Sequence, residues 1–205
     1  MPSPYAKHWS LEPSRLFLNH GSFGACPNFV IEEQRKWQDL MEREPVRFFE
    51  ELMPDLLLKS REALGTFLNC SPDDLAFVSN ATSGVNTILR SLHFEQGDEI
   101  LVPNHAYQAC RNSIDFVAKR WGAKVVEVAI PFPIDGPQTV VELMKSACSE
   151  RTKLVMIDTV TSPTGLRMPF EALTEFFEGK GVEVLLDAAH GCLLYTSPSP
   201  RDRSL

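Results

Sequence analysis

The ten residues from Val182 to Gly191, VEVLLDAAHG, set a short apolar run against a carboxylate and a histidine. Residues 182–187 have the length and composition of a buried strand, with Asp187 at its carboxyl end. An unpaired buried charge is strongly unfavourable, so Asp187 needs a partner. A helix cap, a metal or a protonated ring nitrogen could each supply one. No second carboxylate or histidine pair has obvious metal spacing, which makes the metal the weaker choice.

Working back from this stretch, apolar runs alternate with helical patterns. LAFVS (75–79), EILVP (99–103), KVVEVAI (124–130) and KLVMIDTV (153–160) are strand-like. Between them, helical spacing runs from about residue 83 to 92, 107 to 121, 139 to 148 and 169 to 180. Strands alternating with helices predict an α/β domain with a mainly parallel sheet. Ligands of such sheets bind at the carboxyl ends of strands. The residues there are NATSG (80–84), NHAY (104–107), TSPTG (161–165) and DAAHG (187–191), all small or polar apart from Tyr107. At the first of these, a phosphate could rest on the helix N-terminus with Thr82 and Ser83 as hydroxyl donors; an ordinary N-cap explains the same residues. His105 and His190 fall at two of these strand ends. No GxGxxG turn or Walker loop is present, which disfavours a dinucleotide-binding oxidoreductase or an ATP site.

The chain has 205 residues, 43% of them hydrophobic, and a formal net charge of -7. The acidic balance argues against a nucleic-acid partner. No apolar run approaches the roughly 20 residues of a membrane helix, and MPSPYAKHWSLEPSR lacks the apolar centre of a signal peptide. Five scattered cysteines, at 26, 70, 110, 148 and 192, show no CxxC spacing. They read as reduced thiols of a cytoplasmic protein, with no zinc site or disulfide framework. From about Pro27 to Leu68 the pattern is helical, punctuated at Pro45 and Pro54.

Taken together, FLNHGSFGACP, EPVRFFEEL, DDLAFVSNATSGVNTILRSL, TSPTGLRMP and LLDAAH resemble the class V aminotransferases, and more narrowly their isopenicillin N epimerase-like branch. The resemblance runs from about Leu16 to Gly191. It implies pyridoxal 5'-phosphate (PLP) as cofactor, a small amino-acid-like substrate, a homodimeric full-length parent and the three-layer fold-type I large domain. By this resemblance Ala81 and Thr82 hold the PLP phosphate, and His105 stacks on the pyridine ring. Asp187 pairs with the protonated ring nitrogen, and His190 lies near the ring's phenolic oxygen. Ser162 falls where related desulfurases carry an Asn near that oxygen. Asn19, His20 and Gly21 approach the substrate side, or else belong to a packed N-terminal arm. Arg47 matches a family motif, and a helix-surface ion pair explains it equally well.

The family's Schiff-base lysine follows the aspartate, yet the last lysine here is Lys180. From Cys192 onward, CLLYTSPSPRD resembles the translation of a transposase sequencing adapter. The expectation is therefore a chain truncated after Gly191 and inactive as it stands. Residues 1–70 would form an N-terminal arm and helices, 71–191 a partial PLP-binding large domain, and 192–205 a non-native tail. The resemblance also implies the sheet order a-g-f-e-d-b-c, with LAFVS as strand a, VEVLLD as strand e, and strands f and g missing between them. A non-catalytic α/β ligand-binding module is the competing reading.

Overall fold

The computed structural model describes residues 3–18 and 23–191. Asn19, His20, Gly21 and the 192–205 tail, on which several expectations fell, lie outside the described residues. The chain divides into two compact units at Phe77/Val78.

The first unit is helical. Helix α1 spans Asn28–Arg43 and helix α2 spans Met53–Leu68. Between them Pro45 opens a short helical turn, Pro45–Arg47, which runs into a π-helical turn at Phe48–Leu52. Pro54 sits in the first turn of α2, directly after the π-helical turn, the kind of local irregularity that accompanies a proline inside a helical run. Gly65 is the buried residue of α2, and a Cβ there would stand 2.8 Å from the Cys70 carbonyl oxygen. Much of the apolar surface of this unit is uncovered, including Phe29, Phe49 and Phe67.

The second unit is the expected α/β layer structure. Its elements in order are α3 (Ala81–Ser91), β1 (Glu99–Pro103), α4 (Gln108–Trp121), β2 (Lys124–Val128), α5 (Pro137–Ser146), β3 (Thr152–Asp158), α6 (Phe170–Glu178) and β4 (Glu183–Asp187). Gly122 ends α4 in the left-handed region at φ 71°, which lets the chain reverse directly into β2. The four strands are all parallel, in the order β2-β1-β3-β4. This matches the expected arrangement c-b-d-e.

Side-chain alternation divides the sheet cleanly. Ile100, Val102, Leu154 and Met156 pack with Val85 and Leu89 of α3 and with Cys110, Ile114 and Val117 of α4. Leu101, Val155 and Ile157 face the other way, against Val140, Val141 and Met144 of α5 and Leu173 and Phe177 of α6. Two buried faces give three layers, and they explain the near-continuous apolar runs of the central strands.

One expected strand does not form. LAFVS (75–79) takes no strand pairing, and Phe77 and Val78 are 54% and 52% exposed. A strand exists only with a neighbour to accept its backbone hydrogen bonds, and none of the four described strands pairs with it. On the corresponding edge, β4 pairs only with β3 among the described residues.

Phe177 is fully buried in the α5/α6 layer. Phe177→Ala should lower the unfolding free energy by about 3–5 kcal/mol in denaturant titration. A loss below 1 kcal/mol would mean that this layer does not pack as described.

Candidate active site

The carboxyl ends of the four parallel strands point to one edge of the sheet, and the site grows from there. Asp158 ends β3 and Asp187 ends β4, and the two are register partners. Parallel partners in register project to the same side of a sheet. Counting along each strand from Met156 and Leu185 puts both carboxylates on the face covered by α3 and α4. Both are buried, at 3% and 6% exposure.

Asp187 accepts two hydrogen bonds. One comes from the Ala189 backbone N–H (3.0 Å, to Oδ1), the other from the Cys110 thiol on α4 (3.3 Å, to Oδ2). Its backbone carbonyl accepts from the Thr159 N–H at 2.8 Å. Among the described residues no cation forms an ion pair with either Asp158 or Asp187. The Oδ1 atom of Asp158 is buried without a hydrogen-bond partner. Burial first, then the like charge of Asp187, pushes the Asp158 carboxyl up to about 7, while the Tyr107 backbone N–H acts in the opposite direction. Burial also pushes the Cys110 thiol up to about 12; the hydrogen bond to Asp187 adds to the rise and a Thr82 hydroxyl contact opposes it. Cys110 on α4 thus reaches Asp187, 77 residues away in sequence, and Thr82 acts on the same thiol.

Thr82 belongs to the first turn of α3. Asn80 caps that helix, its side chain accepting from the Ser83 N–H at 2.8 Å. The cap occupies one of the free amide donors of the turn and leaves others for a ligand. The N-cap reading of NATSG is therefore met by Asn80, and the amides the cap leaves free are the ones the phosphate reading calls on. Ala81 is exposed at the same helix start.

His105 follows β1 and is 6% exposed. Its Nε2 lies 2.9 Å from the Ile130 carbonyl, which can only accept, so Nε2 carries a hydrogen. Its Nδ1 lies 2.9 Å from Thr164 Oγ1, and Thr164 in turn is 2.7 Å from Thr161 Oγ1. Thr161 accepts from the Leu166 N–H at 2.9 Å. This chain of bonds locks the imidazole plane between β1 and the TSPTG loop. The Phe132 ring, centroid 6.1 Å away and tilted 60°, flanks it.

His190 sits half-buried in the turn after β4. Gly191 closes that turn, donating to the Ala188 carbonyl at 2.9 Å. A Cβ on Gly191 would come within 2.2 Å of Thr159 Oγ1, so the turn admits no side chain there. Ser162 is exposed, and the polar contacts of its loop are made by Thr161 and Thr164. Arg47, in the first unit, pairs with Glu44 at 3.1 Å and Glu51 at 3.4 Å on an exposed helical surface.

Sequence reasoning missed Cys110, Asp158 and Thr164. Thr164 was within reach, as part of the TSPTG segment already singled out. Asp158 had a signal as well, since it ends a strand just as Asp187 does. Cys110 had none, because only the packing of α4 on the sheet brings it to Asp187.

Cys110 is fully buried with its thiol held protonated. At neutral pH its thiolate fraction should be roughly a thousandfold below that of an ordinary cysteine near ~8.5. Iodoacetamide followed by peptide mass mapping should therefore modify the exposed Cys26 and leave Cys110 intact. Labelling of both at comparable rates would contradict this packing.

Residues 30–194 match the family model "Aminotransferase class-V". A probable chloroplastic L-cysteine desulfhydrase of Arabidopsis thaliana is 32% identical over 196 residues, covering 88% of this chain and 41% of that protein. The isopenicillin N epimerase of Amycolatopsis lactamdurans is 34% identical over 183 residues, covering 88% of this chain and 46% of that protein. The chain thus spans less than half the length of these relatives. Among solved structures, a C-DES mutant with glycine covalently linked to its PLP cofactor superposes with a TM-score of 0.77. That match, at 18% identity, covers 91% of this chain and 50% of the other and establishes a shared fold. With the strand order, the layer packing and the family match over most of its length, the chain belongs to the class V aminotransferase family.

Proposed function

We propose that this chain carries the cofactor-binding portion of a PLP-dependent enzyme that acts on an amino acid or amino-acid derivative. The observation that carries the reading is the pair of buried carboxylates at the ends of β3 and β4, with no cation paired to either among the described residues. Buried negative charge of this kind is stabilised by a cationic partner, and a protonated ring nitrogen would be such a partner. When bound, PLP supplies an electron sink for bond cleavage beside an amino nitrogen.

Each residue then has a task. Asp187 holds the proton on the ring nitrogen, and Ala189 and Cys110 aim the carboxylate. The start of α3, with Ala81 and Thr82, receives the phosphate on free amide N–H groups and a hydroxyl. His105, clamped through Thr164 and Ile130, presents a rigid ring against which the cofactor ring packs. His190 and Ser162 belong to the rim near the phenolic oxygen, and Thr164 stands closer to the buried network than Ser162 does. Asn19, His20 and Gly21 are assigned to the substrate side on the family resemblance alone. Transamination, epimerisation and C–S lysis all use this cradle, and the choice among them belongs to groups placed around the substrate. A dimeric parent completes this reading. The free thiols at Cys26, Cys70, Cys110 and Cys148 suit a reducing compartment such as the cytoplasm. Among the described residues no helix is long and apolar enough to cross a membrane.

A non-catalytic ligand-binding module is favoured by one observation. The five lysines of the second unit all lie away from the strand ends that hold the site. Lys124, Lys153 and Lys180 stand at or before the amino ends of β2, β3 and β4, and Lys119 and Lys145 in the last turns of α4 and α5.

Two measurements bear on these readings. Pyridoxine 5'-phosphate, which has the ring and phosphate without the aldehyde, should bind the chain, and Asp187→Asn should weaken it about 10- to 100-fold, the worth of a charged hydrogen bond. Equal affinity in both proteins would remove the basis for the cofactor site. Borohydride reduction with PLP, read by mass spectrometry, should leave no stoichiometric adduct on any single lysine of this chain. A specific adduct would show a reactive lysine that the present assignment lacks.

A further inference from the structure

Asp158 takes part in none of the roles assigned above, yet it is the more deeply buried of the two strand-end carboxylates. Its place is unusual for three reasons that do not depend on one another. It is the register partner of Asp187 and projects to the same face. Its Oδ1 has no hydrogen-bond partner in a fully buried setting. The backbone N–H of Tyr107, the N-cap residue of α4 two positions after His105, also acts on its carboxyl group. Asp158 therefore lies near the start of α4 and neighbours Asp187 in the strand pair.

Two carboxylates so placed repel one another, and a buried pair relieves the repulsion by keeping a proton. Asp187 is the better-solvated member, with an N–H and an S–H donated to it. Asp158, lacking such donors on Oδ1, is the member that holds the proton. The groups facing it are Asp187 from β4, the Cys110 thiol from α4 and the Tyr107 amide before α4, so among the described residues no positive side chain offsets the pair.

We propose that Asp158 is a positioning residue of the cofactor site that acts through Asp187: Asp158 keeps a proton until a cationic ring nitrogen binds Asp187, and releases that proton when it does. This rests on the cofactor reading above. The proton balance is simple. Before binding, the pair carries one negative charge and one proton; after binding, both groups are ionised, the ring N–H carries the compensating charge, and one proton passes to solvent. By linkage, ligand affinity must rise with pH in the range where the free pair still holds its proton. A purely structural Asp158, tethering Tyr107 and nothing more, would release no proton.

The test is calorimetric titration of the 205-residue chain with pyridoxine 5'-phosphate, in two buffers of different ionisation heat, at several pH values around neutrality. The same measurement on Asp158→Asn keeps the shape and an acceptor for Tyr107 but cannot titrate. Proton uptake or release by the ligand itself is common to both proteins, so the difference between them isolates Asp158. The wild type should release more protons than Asp158→Asn, and its affinity should climb more steeply, by up to about tenfold per pH unit below neutrality. Equal proton counts with parallel pH profiles would overturn the proposal and leave the cofactor reading standing. Absence of binding by the wild type at every pH would overturn both. Should Asp158→Asn fail to fold by circular dichroism, wild type and Asp187→Asn are compared by the infrared band of the protonated carboxylic acid. Removing the Asp187 charge must shift the titration of that band to lower pH, and an unmoved midpoint would refute the coupling.

Discussion

Two carboxylates buried side by side, with no cation to answer them among the described residues, are the constraint around which the second unit is arranged. Asp158 and Asp187 are 3% and 6% exposed, and an ion in such a place is tolerated only when donors or counter-charges surround it. Among the described residues the protein supplies donors sparingly: one backbone N–H and one thiol for Asp187, and none for Oδ1 of Asp158. That economy makes structural sense if the larger share of the compensation arrives with a ligand. A site fully satisfied by its own side chains would gain little from binding a cation.

The remaining features follow from where the sheet ends. A parallel sheet with both faces covered sends its strand carboxyl ends to a common edge, and loops from separate parts of the chain meet there. The alternation of β1 and β3 assigns Cys110 and α4 to the carboxylate face and leaves α5 and α6 to pack the other. On the same edge His105 is held at both nitrogens, so its ring cannot turn to serve as a mobile acid or base without breaking two buried hydrogen bonds. The geometry suits a wall for a flat ring better than a proton shuttle. Gly191 adds a steric condition, since the turn that carries His190 closes onto Thr159 with no room for a Cβ.

How much of this was legible in advance depends on the range of the interaction involved. The four strands that form, and the helices between them, are visible as local patterns of apolar residues, because burial on one or both faces imposes a period on each segment by itself. The same holds for the strand-end positions of His105, Asp187 and His190, since a polar residue closing an apolar run marks the sheet edge. LAFVS shows the limit of that reading. Its composition is that of a strand, but pairing is a property of two segments, and no described strand provides the second. Likewise TSPTG could be recognised as a loop of interest, while the preference for Thr161 and Thr164 over Ser162 came from which hydroxyls turn toward His105.

The sequence alone thus determined the alternation of strands and helices, the parallel sheet, the family resemblance and the polar residues that close the strands. Tertiary structure decided the rest: that β3 and β4 lie adjacent in register, that Asp158 thereby stands beside Asp187, and that the thiol of Cys110 reaches across from α4 to the second carboxylate. The physical reason is distance along the chain. Periodicity reports the environment of each segment averaged over its own length, whereas a carboxylate's partner is fixed by the packing of elements 29 and 77 residues away.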